Sequence, residues 1–180
     1  MEYIDVLDEH GNKTGRTKPH PDIHKDGDWH RAAHIWILNS QNELLIQRRS
    51  PAKENYPNLW DTSVAGHVSA GEDSIVSALR ETEEEIGVKL RKEDIQYLFT
   101  VVEQAVLNNG AYIDNEIQDV YLVRTNIDMS DMVVQKEEVA EVKFIDSRDL
   151  KRRVSDDAHN FVPHEEEYEK LFEILGKDTK

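Results

Sequence analysis

The stretch GHVSAGEDSIVSALRETEEEIGV, residues 66–88, decides the fold of this chain. Its apolar positions Ile75, Leu79 and Ile86 recur at helical offsets, with Thr82 between them. This spacing predicts a helix with one buried stripe. The residues that favour its start and end are Asp73, Ser74 and Gly87.

The same helix carries a dense group of carboxylates. Glu81 and Glu85 are four positions apart and Glu84 is three from Glu81, so their side chains can converge within one turn. Such pairs repel by about a few tenths of a kcal/mol each. Mg²⁺ binds a few carboxylate oxygens together with water and substrate phosphates, and would offset this repulsion. A solvated acidic helix face is the alternative interpretation.

The fixed spacing of these residues resembles the sequence box of the Nudix hydrolases. That box reads Gly, five residues, Glu, seven residues, Arg-Glu, an aliphatic residue, any residue, Glu-Glu, any residue, Gly and an aliphatic residue. Thr82 stands where the family usually has the first aliphatic residue. The matching positions are Gly66, Glu72, Arg80, Glu81, Glu84, Glu85, Gly87 and Val88.

The resemblance implies a fold, an activity and a set of site residues. The implied fold is α/β (α+β), a Nudix-type α/β/α sandwich with a mixed β-sheet, and the implied reaction is attack of a metal-activated water on a diphosphate, with Mg²⁺ or Mn²⁺. Arg80 would brace the glutamates, Glu72 would support the loop, and the general base would be Glu84 or, alternatively, Glu116. The implied metal ligands are Glu81, Glu85, Glu84 and the main-chain carbonyl of Ala65.

Composition limits the partners of the chain. The 180 residues carry a net charge of −15, so we expect no nucleic-acid or anionic-membrane surface, and the expected partner is a small-molecule diphosphate. Cysteine is absent, which excludes disulfides, thiolate metal sites and cysteine nucleophiles. There is no signal-like start or long apolar run, so we expect a cytoplasmic protein. Family members often form homodimers, and the sequence leaves the oligomeric state open.

The pattern along the chain predicts one Nudix domain over residues 1–180, with a core at about 28–160. An N-terminal β-hairpin is predicted at about 1–17 and a C-terminal helix at about 164–176. Prolines, glycine and charges predict a loop at 18–28. Further strands are predicted at 30–38, 43–47, 62–65, 95–105, 117–123 and 137–144, with a short helix at 146–153. The first two of these strands, 30–38 and 43–47, are predicted to form a hairpin.

Several polar residues outside the box are open to two interpretations. Arg48 and Arg49 follow a predicted strand, where they would either form surface ion pairs or bind substrate phosphate. Asp114 and Glu116 alternate on one face of an extended segment, or belong to an exposed acidic loop. Aromatic residues that could form a base pocket, or equally the core, are Tyr3, Trp36, Tyr56, Trp60 and Phe161.

Longer phrases resemble isopentenyl-diphosphate isomerase, a relative with the same fold. They are HRAAHIWILN, RRSPAKENYPNLWDTSVAGH and DNE. The resemblance implies a second metal site, for which neutral imidazoles with carboxylates are suitable ligands. Any one of these histidines could instead have a structural role. The candidate ligands are His24, His30, His67, Asp114 and Glu116.

The residue before the box argues against isomerisation. The isomerases need a cysteine there as an acid/base group, and this chain has Ala65. We therefore predict hydrolysis of a nucleoside diphosphate or of a compound linked to one. An isopentenyl-diphosphate isomerase and a non-catalytic nucleotide sensor are the alternatives.

Overall fold

The computed structural model describes residues 2–178. Its strands are β1 Tyr3–Leu7, β2 Lys13–Pro19, β3 Trp29–Leu38, β4 Glu43–Arg49, β5 Trp60–Asp61, β6 Val64–His67, β7 Ile95–Leu107, β8 Tyr112–Arg124 and β9 Val139–Asp146. Its α-helices are α1 His20–Asp26, α2 Ser74–Ile86, α3 Ser147–Asp156 and α4 Glu165–Asp178. Short 3₁₀ turns are Lys92–Asp94, Asn108–Gly110, Met129–Asp131 and Ala158–Asn160.

Strand β3 lies at the centre of a mixed sheet. Its residues from Ala32 to Leu38 are all buried, as is typical of a strand covered on both faces. It pairs in parallel with β8 on one side and antiparallel with β6 on the other. Strand β7 continues the sheet beyond β8, and β9 continues it beyond β4.

Two hydrophobic clusters cover the two faces of the sheet. On one face, Ile35 and Ile37 of β3 pack with Ala78 and Ile86 of α2. On the other, Trp36 and Leu38 pack with residues of the last two helices. Alternation along β3 sends successive side chains to opposite faces, which produces the two layers. The arrangement confirms the predicted α/β/α sandwich with a mixed sheet. The contacts from the last two helices are Leu150 of α3 and Tyr168, Leu171, Phe172 and Leu175 of α4.

Helix α2 begins and ends as its sequence predicts. Asp73 precedes it with an extended backbone, and Gly87 ends it with φ +73° in the left-handed region. Thr82 is fully buried, and its hydroxyl donates to the carbonyl of Ala78 at 2.7 Å, so the polar atom is satisfied. Leu79 is only half-buried, because the buried stripe runs through Ala78, Thr82 and Ile86 instead.

The prediction of a loop at 18–28 is wrong, since helix α1 spans most of this segment. Pro21 lies in the first turn, where a missing N–H does no harm, and Gly27 ends the helix in the left-handed region. Ile23 and His24 are buried, so the short helix is held by tertiary packing.

One strand pairing and one strand boundary also differ from the prediction. The predicted hairpin of β3 with β4 contains only one paired position, Leu38 with Leu44, because β4 forms its long ladder with β9. Strand β8 begins at Tyr112, so Asp114 and Glu116 lie within it and not before it. No helix within residues 2–178 is long and apolar enough to span a membrane.

The two glycines Gly87 and Gly176 provide a matched test of the end of α2. A Cβ at Gly87 would meet the backbone nitrogen of Val133 at 3.0 Å in a left-handed conformation, so we expect Gly87→Ala to lower the free energy of unfolding by about 1–3 kcal/mol. A Cβ at Gly176 in α4 meets nothing within 4 Å, and Gly176→Ala should be neutral or stabilising by up to ~1 kcal/mol. Urea denaturation of both variants measures this; equal losses would contradict the assigned strain.

Candidate functional site

Most of the predicted site residues line a cavity of about 720 Å³, the exceptions being His24, His30 and Arg48. Helix α2, strands β6 and β8, and the loop of residues 50–59 contribute to its wall. Most of the charged side chains in this wall are carboxylates, whereas the permanent cations are Arg49, Lys53 and Arg80. An anionic substrate therefore needs additional positive charge in order to bind here.

Gly66 allows Glu81 to pack against the main chain. A Cβ at Gly66 would lie only 2.3 Å from the Cδ atom and 2.6 Å from the Oε1 atom of Glu81. A side chain at position 66 would therefore have to displace the carboxylate of Glu81. The Glu81 side chain thus packs directly against the backbone of Gly66, so the position of this glutamate depends on the glycine.

Burial raises the pKa values of the two inner carboxylates of α2, Glu81 and Glu85. It raises the pKa of Glu81 to about 7, although the guanidinium of Arg80 acts in the opposite direction. It also raises the pKa of Glu85 to about 8, and the neighbouring charge of Glu81 adds to this effect. Gln47 donates a hydrogen bond to Glu85 at 2.9 Å but supplies no charge. Both groups are therefore poised to exchange a proton for a cation.

Arg80 connects the carboxylates of the box. One terminal nitrogen lies 2.7 Å from Glu81 Oε1 and 3.1 Å from Glu84 Oε2, while its Nε lies 3.6 Å from Glu72 Oε2. Glu72 also accepts a hydrogen bond from Ser77 at 2.6 Å. The Glu84 side chain is 52% exposed, so it lies at the rim of the cavity.

A hard divalent cation fits this donor set. Glu81 and Glu85 line the cavity, as does Ala65. Mg²⁺ and Mn²⁺ favour such oxygen ligands. Within residues 2–178, however, Glu81, Glu84 and Glu85 do not form a set whose ligand atoms all lie within 4.8 Å of one another.

The five candidates for a second metal site lie together on the same side of the sheet. His30 Nε2 and His67 Nε2 lie 3.2 and 3.3 Å from Glu116 Oε1. His24 connects to both sides of the cluster, with Nε2 3.2 Å from His67 Nε2 and Nδ1 3.3 Å from Asp114 Oδ1. We call these five residues, with His20, the histidine cluster.

The electrostatics of the histidine cluster suit a cation. Burial lowers the pKa of His67 to about 3, which keeps its ring neutral. Burial opposes ionisation of Glu116, but hydrogen bonds from His30 and His67 outweigh it and hold the pKa of Glu116 well below its usual value. Buried polar atoms without a hydrogen-bond partner among residues 2–178 include His20 Nε2, His24 Nδ1 and Asp114 Oδ1.

His20 was missed by the sequence reasoning. Its ring centroid lies 4.4 Å from that of His67, and it forms a ligand set with His24 and His67. His20 and His24 are four residues apart on α1, a spacing that places two side chains on one helix face. The signal was hidden because this segment was predicted to be a loop.

The structure separates Arg48 from Arg49. Arg49 lines the cavity and donates to Asp61 at 2.9 Å. Arg48 Nε lies 2.8 Å from Glu141 on the neighbouring strand β9, and Arg48 is not part of the cavity wall. Adjacent residues of a strand point to opposite faces, so only one of the two arginines reaches the site.

The aromatic candidates are also divided. Tyr56 lines the cavity, whereas Trp36 and Phe161 are buried in the core and Trp60 packs partly against it. Tyr3 is 50% exposed. Tyr112, which the sequence did not single out, lines the cavity and stacks on His24 with ring centroids 4.0 Å apart.

A buried network beside the cavity was not foreseen. His164 lies between Asp61 and Glu103, 3.1 Å from each carboxylate, and His34 lies 2.7 Å from Glu167. Burial opposes protonation of His164, but the two carboxylates outweigh it and raise its pKa well above the usual value. These contacts join the C-terminal segment to strands of the sheet, and no local pattern predicts them.

Comparisons with known proteins agree with this fold and site. The family model of the NUDIX domain matches residues 28–164. Nudix hydrolase 3 of Arabidopsis thaliana is 44% identical over 179 residues, 97% of this chain, and the chain spans 23% of that protein's length. An uncharacterised Nudix hydrolase of Listeria monocytogenes is 31% identical, covering 91% of this chain and 90% of that protein.

More distant similarities are of two kinds. Isopentenyl-diphosphate Delta-isomerase of Citrobacter koseri is 29% identical over 67% of this chain and 65% of the isomerase. The structure of DR0079 from Deinococcus radiodurans has a TM-score of 0.66 at 22% identity, covering 86% of this chain and 89% of that one. The NUDIX domain of NrtR from Shewanella oneidensis, solved with ADP ribose, has a TM-score of 0.60 at 17% identity, covering 81% and 87%. These two structures support the fold alone.

The fold and the family match define an enzyme that hydrolyses acid anhydrides. The chain belongs to the Nudix hydrolase family, as the box at residues 66–88 predicted. The likeness to the isomerases is present at lower identity.

Proposed function

We propose that the chain is a Mg²⁺- or Mn²⁺-dependent hydrolase that cleaves the diphosphate of a nucleoside diphosphate or of a compound linked to one. The observation that carries the proposal is the pair of buried glutamates, Glu81 and Glu85, in the wall of one cavity with raised pKa values. Buried carboxylates without sufficient counter-charge favour cation binding.

The proposed roles follow the contacts of α2. Glu81, Glu85 and the carbonyl of Ala65 hold the cation, and Arg80 keeps Glu81 oriented through its 2.7 Å contact. Glu84 is the proposed general base, since it lies at the open rim where water enters. Glu116 is the alternative, but its oxygens are already engaged by His30, His67 and Gln118. When bound, a divalent cation polarises phosphoryl oxygens and lowers the pKa of a coordinated water.

Cavity size and lining support a nucleoside-linked substrate. A volume of about 720 Å³ lies within the usual range for small-molecule sites. Tyr56 and Tyr112 supply aromatic rings, while the remaining apolar wall consists of small residues and Val162. The NUDIX domain of similar fold that was solved with ADP ribose is consistent with this substrate class.

Ala65 argues against the isomerase alternative. It lines the cavity at the position where the isomerases have their cysteine, and a methyl group cannot exchange a proton. Hydrolysis requires no proton transfer to carbon. The arrangement therefore favours attack at phosphorus.

Replacement of Glu85 tests the proposed function. Glu85→Gln keeps the shape of the side chain but removes a metal-binding charge, so we expect Mg²⁺-dependent hydrolysis of the diphosphate to fall by ~100-fold or more. Glu83→Gln on the exposed side of the same helix is the matched control and should keep its activity. The assay is a panel of nucleoside diphosphates, ADP-ribose and isopentenyl diphosphate with Mg²⁺ or Mn²⁺. Products are separated by chromatography, because a cleaved nucleoside diphosphate releases inorganic phosphate whereas cleaved ADP-ribose yields two phosphomonoesters. Equal rates for the two variants would reject this assignment of the site.

We also propose that the histidine cluster binds a second, transition-type cation. Its donors are imidazole nitrogens and carboxylate oxygens 3.2 to 3.6 Å apart, and such mixed sets suit first-row metals. His30 Nδ1 lies 3.1 Å from the carbonyl of Asp28, an orienting contact typical of metal-bound histidines.

The metal content of His24→Ala tests this second site. The variant removes a ring with two close ligand neighbours, so we expect one equivalent less of bound Zn²⁺ or Mn²⁺ by elemental analysis after metal loading. His159→Ala, an exposed histidine far along the chain, is the control and should bind as the wild type does. Unchanged metal content in His24→Ala would show that the histidine cluster has a structural role.

A further inference from the structure

His34 faces the cavity from the central strand. Alternation along β3 places it on the same face as His30 and Trp36, between the histidine cluster and the core. Its neighbour on that face is Ala32, and its partner across the ladder with β6 is Ala65. Both are small and both line the cavity, so neither side chain shields the imidazole from it.

Glu167 fixes the orientation of this imidazole. Its Oε2 atom lies 2.7 Å from His34 Nδ1, and its Oε1 atom accepts a hydrogen bond from Trp36 Nε1 at 2.7 Å. Glu167 is 1% exposed, so both contacts are shielded from solvent. The second ring nitrogen, His34 Nε2, is not engaged by Glu167. A histidine held in this way at Nδ1 offers Nε2 to a ligand.

The carboxylate partner also determines the charge of the ring. Burial and the nearby ring of His164 oppose protonation, but the contact with Glu167 outweighs both and raises the pKa of His34. The pKa of Glu167 is correspondingly lowered despite its burial. Both directions favour the charged form of the pair, in which Nε2 carries a proton that it can donate.

The permanent cations of the cavity are, like His34, paired with carboxylates. Each of those cations already contacts a carboxylate, which reduces its attraction for an anion. The pairs are Arg49 with Asp61, Lys53 with Glu138, and Arg80 with Glu81.

We propose that His34, positioned by Glu167, donates a hydrogen bond from Nε2 to a phosphate oxygen of the substrate. This inference rests on the proposed diphosphate substrate. The location is appropriate because His34 lies directly across the ladder from Ala65, whose carbonyl is a proposed metal ligand. A diphosphate held by the cation would then meet His34 on the sheet side of the cavity.

Two substitutions of His34 separate its two contacts. Asparagine can replace Nδ1 towards Glu167 but is too short to reach the position of Nε2, whereas glutamine can place an amide near Nε2. We expect His34→Asn to lower kcat/KM by about tenfold or more, since hydrogen bonds to charged groups are worth about that factor. His34→Gln should retain more of the activity. Ile37→Val, on the opposite face of β3, controls for a small loss of stability.

A binding measurement makes the inference independent of turnover. Methylenediphosphonate, a diphosphate that cannot be hydrolysed at its bridge, is titrated calorimetrically into each folded variant in the presence of Mg²⁺. We expect about tenfold weaker binding to His34→Asn, and near wild-type binding to Ile37→Val. Glu167→Gln should shift the alkaline limb of the pH–rate profile to lower pH, because the imidazolium loses its anionic partner.

The possible results are distinguishable. Unchanged kcat/KM and unchanged diphosphonate binding in His34→Asn would overturn the role of His34 and leave the hydrolase proposal intact. If the wild type hydrolyses no diphosphate, the hydrolase proposal fails, and the diphosphonate titration alone decides the role of His34. In that case, binding that depends on His34 supports the role, and absent or His34-independent binding rejects it.

Discussion

The burial of the Glu81 and Glu85 carboxylates beside the backbone at Gly66 is the constraint on which the site depends. Removing two carboxylates from water is costly unless they gain protons or a cation. Here the cost is expressed as pKa values raised to about 7 and 8. The packing of α2 on the sheet through Ala78 and Ile86 holds the two groups in this position. Burial of apolar side chains beneath α2 thus stabilises a position of Glu81 and Glu85 that favours metal binding.

Strand β3 organises the remainder of the cavity. Its odd-numbered residues pack against α2, while its even-numbered residues carry His30 and His34 to the opposite face. Strand β8 runs parallel to it in register and brings Glu116 beside His30. The C-terminal helix α4 then adds Glu167 over the same face. One sheet face therefore contains both the proposed second metal site and the proposed phosphate donor.

The parts of the fold that could be predicted are those with local or fixed-spacing signals. Helix α2, its end at Gly87 and the family were predicted because charge and glycine spacing are visible in the sequence. Helix α1 was missed, since one proline within it and a flanking proline and glycine are typical of loops, and its stability comes from burial of Ile23 and His24. The contact of His34 with Glu167 joins residues 133 positions apart, so only the tertiary structure could reveal it. The different positions of Arg48 and Arg49 follow from strand alternation and could have been predicted.

The most direct test of the central claim is the number of protons released when Mg²⁺ binds. Calorimetric titrations at pH 7 in buffers of different ionisation enthalpy measure this number. Because Glu81 and Glu85 hold protons near neutral pH and must lose them to bind a cation, we predict release of about one proton or more per Mg²⁺. Release should increase below pH 7 and be reduced in Glu85→Gln. Binding heats that are independent of the buffer would contradict the account, because they would show that the buried carboxylates are ionised before the cation arrives.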